Sequence, residues 1–225
     1  MAKFTVDVYA DTVCPWCYIG KKSLDAAIAQ HRASFPEDDF EINWRPYILF
    51  PNAKVSAYHK KDSFTLKFGP SAPAVLARMD AAAAPYNIHL TWEGRTGSSR
   101  DSHKLILLSS SSSSSSSPQK VQSEFIDALF QGNQTQGKDI SDRKGFLIPT
   151  ALEHGLADDE ETLLQYLDSE EADRRVDEEA ARARRDVGVA AVPSYVVNGR
   201  YRVGGMQEPG VFTGLFERIR GGGGK

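Results

Sequence analysis

"ADTVCPWCYIG", Ala10 to Gly20, holds both cysteines of the 225-residue chain, two residues apart across a proline and a tryptophan. Three readings compete for such a pair: half of a metal site, a redox couple, or two inert buried thiols. The flanking sequence weighs among them. Upstream, "FTVDVYA" (Phe4 to Ala10) is rich in β-branched and aromatic residues and predicts a first strand. Downstream, Pro15 stands where a first helical position tolerates proline, and Leu24, Ala27 and Ile28 carry a helix to about Arg32. The pair therefore straddles a strand-to-helix junction, with Cys14 at the helix N-terminus and Cys17 one turn in. "DFEINWRPY" alternates Phe40, Ile42 and Trp44 and predicts a second strand ending at Pro46. Strand, helix, strand predicts a right-handed parallel pairing.

From Phe50 to about Val187 the pattern turns helical, with almost no strand signal. "APAVLARMDAAAAPY" is helix-prone until Pro85. Ser98 and Asp101 have capping-box spacing before "SHKLILL". Val121, Phe125, Ile126, Leu129 and Phe130 line one helical face. Further helices are expected after "ISDRKGFLIP", in "DDEETLLQYL", and where Ala172, Val176, Ala180, Ala183 and Val187 recur every three to four residues. The charges of that last segment read as a solvated face. The nine serines from Ser109 to Ser117 interrupt a helical pattern and carry no reading, and neither does the terminal "GGGGK". Strands return in "VPSYVV" and "RYRVGG", which flank the hairpin dipeptide Asn198-Gly199. "EPGVFTGLFERI" closes the pattern as a helix.

Forty per cent apolar and 25% charged residues are the values of an ordinary globular protein able to bury a core. The net charge of -3 gives no reason to expect nucleic acid or an anionic membrane as a partner. No apolar run is long enough to span a bilayer. "MAKFTVDVYADT" enters the strand pattern without the apolar segment of a signal peptide, which predicts a cytoplasmic protein. Two cysteines cannot form a disulfide framework, so they are free for chemistry.

A closed zinc site needs four ligands, and one Cys-x-x-Cys supplies two. The histidines at 31, 59, 89, 103 and 154 show no ligand-like spacing, so no metal is expected. Free cysteine is often a small buried hydrophobe, but the helix N-terminus argues against inertness. Its unpaired N–H groups and dipole favour a thiolate, and such settings bring cysteine pKa values to roughly 3.5–7.5. A thiolate at Cys14 would attack a disulfide, and Cys17 would resolve the mixed disulfide. Asp7 and Asp11 are candidates for proton transfer with Cys17. A solvated or loop-bracing role serves either of them equally well.

"CPWC" after a first strand, "WRPY", and "AAVPSYVVNGRYRVGGMQ" (Ala190 to Gln207) resemble the DsbA-like branch of the thioredoxin superfamily. Within it the sequence is most similar to cytosolic FrnE-type oxidoreductases, relatives of 2-hydroxychromene-2-carboxylate isomerase and kappa-class glutathione transferases. The resemblance covers nearly the whole chain. It implies an α/β, thioredoxin-like fold, with residues 1–50 and 188–220 in a discontinuous thioredoxin-like domain and 51–187 as an all-helical insertion. It also implies a cis peptide bond between Val192 and Pro193 facing Cys14. Substrate contacts would fall at Pro15, Trp16, Val192 and Pro193, and at His103, in the segment that shapes the ligand cleft of the isomerases and transferases.

The activity expected is thiol–disulfide oxidoreduction or isomerisation of protein or small-molecule thiol and disulfide substrates. No tightly bound cofactor is expected, with glutathione as a possible co-substrate. A glutathione-dependent isomerase or transferase acting on an aromatic or polyketide-type small molecule is the rival. A redox-sensing or chaperone-like binding module is a third reading.

Overall fold

The structure is a computed structural model that describes residues 1–53, 58–110 and 118–222. Its first three elements are β1 (Lys3–Ala10), α1 (Pro15–Ser34) and β2 (Asp39–Pro46). β1 and β2 pair in parallel, with Val6 opposite Ile42 and Val8 opposite Trp44. The sequence alternation and the crossover helix together require that arrangement.

The short strands β3 (Tyr58–His59) and β4 (Arg95–Thr96) pair antiparallel within the stretch whose pattern is helical. A two-residue ladder is too short to leave a period-2 signature. Between and after them run α2 (Lys60–Phe68), α3 (Ala72–Ala83), α4 (Arg100–Ser109), α5 (Pro118–Thr135), α6 (Ile148–Glu153), α7 (Glu160–Leu167) and α8 (Glu170–Arg185). A π-helical turn at Arg143–Leu147 leads into α6. The capping box expected at Ser98 and Asp101 does not form. Ser99 is the N-cap of α4, and Asp101 is drawn instead to Arg143 (2.6 Å). Most of the serine run, residues 111–117, lies outside the described residues, as do 223–225.

β5 (Ser194–Val197), β6 (Tyr201–Gly204) and α9 (Pro209–Arg220) complete a four-stranded sheet of order β2-β1-β5-β6. Asn198 and Gly199 both take left-handed conformations, φ 50° and 66°, as a tight two-residue hairpin turn requires. Asn198 also ties the hairpin to β1, since its Oδ1 accepts the Thr5 N–H at 2.8 Å.

Strand alternation gives the sheet two covered faces. Phe4, Val6 and Val8 turn towards α1 and α9, where Phe4 stacks on Phe40 (4.7 Å) and meets Phe216 (5.1 Å) and His31 (5.3 Å). Tyr9 and Val196 turn the other way, against Ala183 of α8 and Val189. The first cluster runs on without a break into the helical segment through Phe125, Phe130, Leu147 and Leu163.

β2 is an edge strand, and its open side is closed by α5. The Gln122 Oε1 atom accepts the Trp44 backbone N–H at 3.0 Å, while its Nε2 donates to the Ile106 carbonyl of α4. One buried amide thus stands in for a missing strand. Gln122→Met keeps the volume but leaves the Trp44 N–H buried without an acceptor. Urea unfolding should show a loss of about 1–3 kcal/mol.

Candidate active site

Cys14 is the N-cap residue of α1, extended at φ -95° and ψ 112°, and Pro15 begins the helix proper. The Cys14 backbone N–H closes onto the Asp11 carbonyl (3.0 Å), and its own carbonyl accepts the Cys17 N–H (3.0 Å). These bonds fix the loop and the first helical turn together. The two cysteines approach to 3.5 Å and are not joined.

They differ in access. Cys14 is 7% exposed and lines a cleft of about 1460 Å³, whereas Cys17 is 1% exposed and lies behind it. Burial, reinforced by the Cys14 thiol beside it and the Asp11 charge, pushes the Cys17 thiol well above its ordinary value.

The peptide bond between Val192 and Pro193 is cis, and the Val192 carbonyl faces the Cys14 sulfur at 4.0 Å. Trp16 and Pro15 also line the cleft. Pro15, Trp16, Val192 and Pro193 are therefore assembled around the cysteine pair. α2 and α3 contribute Phe64, Phe68 and Met79 to the cleft's lining, and Phe50 lines it as well. Two cations stand on that apolar surface. Lys67 lies over the rings of Phe50 (4.7 Å) and Phe68 (5.2 Å), and Arg78 lies over Trp16 (5.5 Å).

Asp11 is fully buried. Its Oδ2 accepts the Leu49 N–H at 2.7 Å, and its Oδ1 takes the Val13 N–H (3.4 Å) and meets His103 Nε2 (3.3 Å). This carboxylate is the brace of the loop before α1. His103 is not brought to the cleft. The face of α4 that carries it packs against residues 11–13, where the neighbouring Ser102 hydroxyl meets that of Thr12 at 2.8 Å. His103 itself is buried and is not among the residues that line the cleft.

Asp7 is not brought to the cysteines either. Alternation along β1 turns it to the α8 face, where it pairs with Arg45 (3.0 Å), which in turn approaches Glu179 (4.0 Å). Among the described residues, no group of three or more histidines, cysteines or acids is placed to hold a metal ion.

Sequence reasoning missed Gly20 and Tyr195. A Cβ on Gly20 would drive into the Tyr195 hydroxyl and touch Pro193 at 3.0 Å, so only glycine lets α1 press this closely against the residues after the cis bond. Gly20 lies one helical turn beyond Cys17, and Tyr195 sits at an inward position of β5. The pairing could be read only once helix and strand were superposed.

This fold and site define a class, and the chain belongs to it: residues 5–216 match the DsbA-like thioredoxin domain family. Among solved structures, a probable DsbA oxidoreductase from Streptomyces coelicolor superposes with a TM-score of 0.81 at 26% identity, covering 97% of this chain and 90% of that one. 2-Hydroxychromene-2-carboxylate isomerase superposes with 0.65 at 15% identity, over 96% and 95% of the two chains. The cytosolic disulfide reductase DsbM from Pseudomonas aeruginosa, in a structure with glutathione, superposes with 0.55 at 15% identity, over 96% and 99%. At 15% identity the last two show likeness of fold alone. No curated protein matches the chain.

Gly20→Ala should destabilise the protein by about 1–3 kcal/mol through overpacking. In the double variant with Tyr195→Phe, part of that loss should return, because the atom struck is the hydroxyl. A denaturation cycle over the four proteins measures the coupling.

Proposed function

We propose that the protein is a thiol–disulfide oxidoreductase in which Cys14 is the nucleophile and Cys17 the resolving thiol. The observation that carries this reading is the unequal placement of the pair. Cys14 stands at the cleft and at the positive end of the α1 dipole, and Cys17 waits behind it within bonding reach.

The steps balance without a further reagent. The Cys14 thiolate attacks a substrate disulfide, forming the Cys14–substrate bond and expelling the first substrate thiolate. The Cys17 thiolate then attacks the Cys14 sulfur, forming the internal disulfide and expelling the second thiolate. Two electrons pass to the substrate, and the two cysteine protons end on its thiols. The reverse sequence oxidises a dithiol. The Val192 carbonyl beside the cis bond offers an extended substrate a backbone acceptor next to the reacting sulfur.

Protein segments or small disulfides, glutathione among them, are the substrates proposed, in the cytoplasm, where thiols are kept reduced. No described helix is long and apolar enough to cross a membrane. No tightly bound cofactor enters the proposed steps.

The cleft favours one further reading, a glutathione-dependent isomerase or transferase of an apolar small molecule. Its 1460 Å³ exceeds what a small thiol needs, and its walls are largely apolar. Cys17→Ser separates the two readings: it leaves isomerase or transferase turnover intact but traps disulfide substrates on Cys14.

The test is a glutathione redox titration followed by alkylation and intact-mass analysis. Cys14 and Cys17 should interconvert as one two-electron couple, and Cys17→Ser should accumulate a stable mixed disulfide at Cys14. If Cys14 merely collects glutathione in the wild-type protein and no internal disulfide forms, the proposal fails. The raised Cys17 pKa sets the sign of the pH dependence. Cys17 is a thiol at neutral pH, so resolution should accelerate as pH rises towards its ionisation. Stopped-flow mixing across pH measures that slope.

A further inference from the structure

The Tyr195 side chain is fully buried, and its hydroxyl has no hydrogen-bond partner among the described residues. An orphaned buried hydroxyl costs free energy that a phenylalanine of nearly the same shape would not. The ring is fixed by its edge-on contact with Phe212 (4.9 Å) and the hydroxyl by its abutment on Gly20, one helical turn beyond Cys17. Cys17 and Gly20 share one face of α1, because residues three apart on a helix are neighbours.

We infer that the Tyr195 hydroxyl is a positioning donor for the Cys17 thiolate, idle in the resting dithiol and engaged when Cys17 ionises to resolve the mixed disulfide. This rests on the reading of Cys14 and Cys17 as nucleophile and resolving thiol.

The group is suited to donate and not to accept. Burial, with the nearby Cys17 and Cys14 sulfurs adding to it, holds the phenol well above its ordinary value, so it keeps its proton throughout. Around the pair, Cys14 and Asp25 on α1, Asp11 in the loop before it and Tyr86 after α3 are neutral or anionic. Lys21, on the same helix, is engaged by Asp25 at 2.7 Å. The Asp11 backbone N–H is one donor that favours a thiolate at Cys17, and the Tyr195 O–H, without another partner among the described residues, is the side-chain donor that can join it. The proton that leaves Cys17 goes to the departing substrate thiolate, and Tyr195 only stabilises the charge left behind.

The experiment is single-turnover reduction of oxidised glutathione by the reduced protein, quenched with acid and resolved by intact mass into mixed-disulfide and internal-disulfide forms. In Tyr195→Phe the first step should match wild type and the mixed disulfide should accumulate. Its resolution at neutral pH should slow about tenfold, and the rise of resolution with pH should move up by about one unit. The thermal midpoint should be unchanged or higher, since the deleted hydroxyl bonds nothing. A merely structural tyrosine would alter the midpoint and leave the pH profile in place. Resolution rates and profiles that coincide with wild type overturn the inference. Failure of the wild-type protein itself to resolve its mixed disulfide overturns the dithiol reading and this inference with it, a result distinguishable because it appears without any substitution.

Discussion

The site depends on how closely α1 can press against the segment that follows the Val192–Pro193 bond. Gly20 sets that distance, because any side chain there would meet Pro193 and the Tyr195 hydroxyl. With the helix seated, the Cys14 sulfur faces the Val192 carbonyl and Cys17 turns inward. The asymmetry between an accessible thiol and a hidden one follows from the seating of a single helix. It does not require different chemistry at the two cysteines, since both are the same residue on adjacent turns.

A second constraint holds the approach to that helix. The Asp11 carboxylate, fully buried, accepts backbone N–H groups from Val13 and Leu49 and meets His103. The loop from β1, the chain leaving β2 and the helix α4 are thereby fastened at one point. Gln134 adds to it by donating to the Thr12 carbonyl at 3.0 Å. The intervening helices do more than roof the cleft. Through Asp11, Thr12 and Gln122 they fix the loop before the reactive cysteine and the open edge of the sheet. That accounts for an apolar core continuous between sheet and helices.

The strand-helix-strand unit, the terminal hairpin and the faces of α5 and α8 were legible in the sequence because each is written in a local period. Cys14 and Cys17 were legible because Pro15 and the preceding strand place them at a helix start. Asp7 misled because alternation alone does not say which face of a sheet a given helix covers, and Arg45 of the neighbouring strand claims it. His103 misled because its position on α4 was readable and the packing of α4 against the loop was not. The Ser98 and Asp101 spacing was a true local signal overruled by Arg143, a partner 42 residues beyond Asp101.

Local sequence sets the order of elements, the two thiols at a helix N-terminus and the turn at Asn198-Gly199. These depend on neighbours within a few residues, where spacing and backbone preference suffice. Long-range packing settles which cysteine meets the cleft, which acid is buried, and that a tyrosine hydroxyl without a partner among the described residues stands over Gly20. Those outcomes join residues 38 to 178 positions apart. They rest on the close packing of helix against strand, which leaves no trace in the period of either segment.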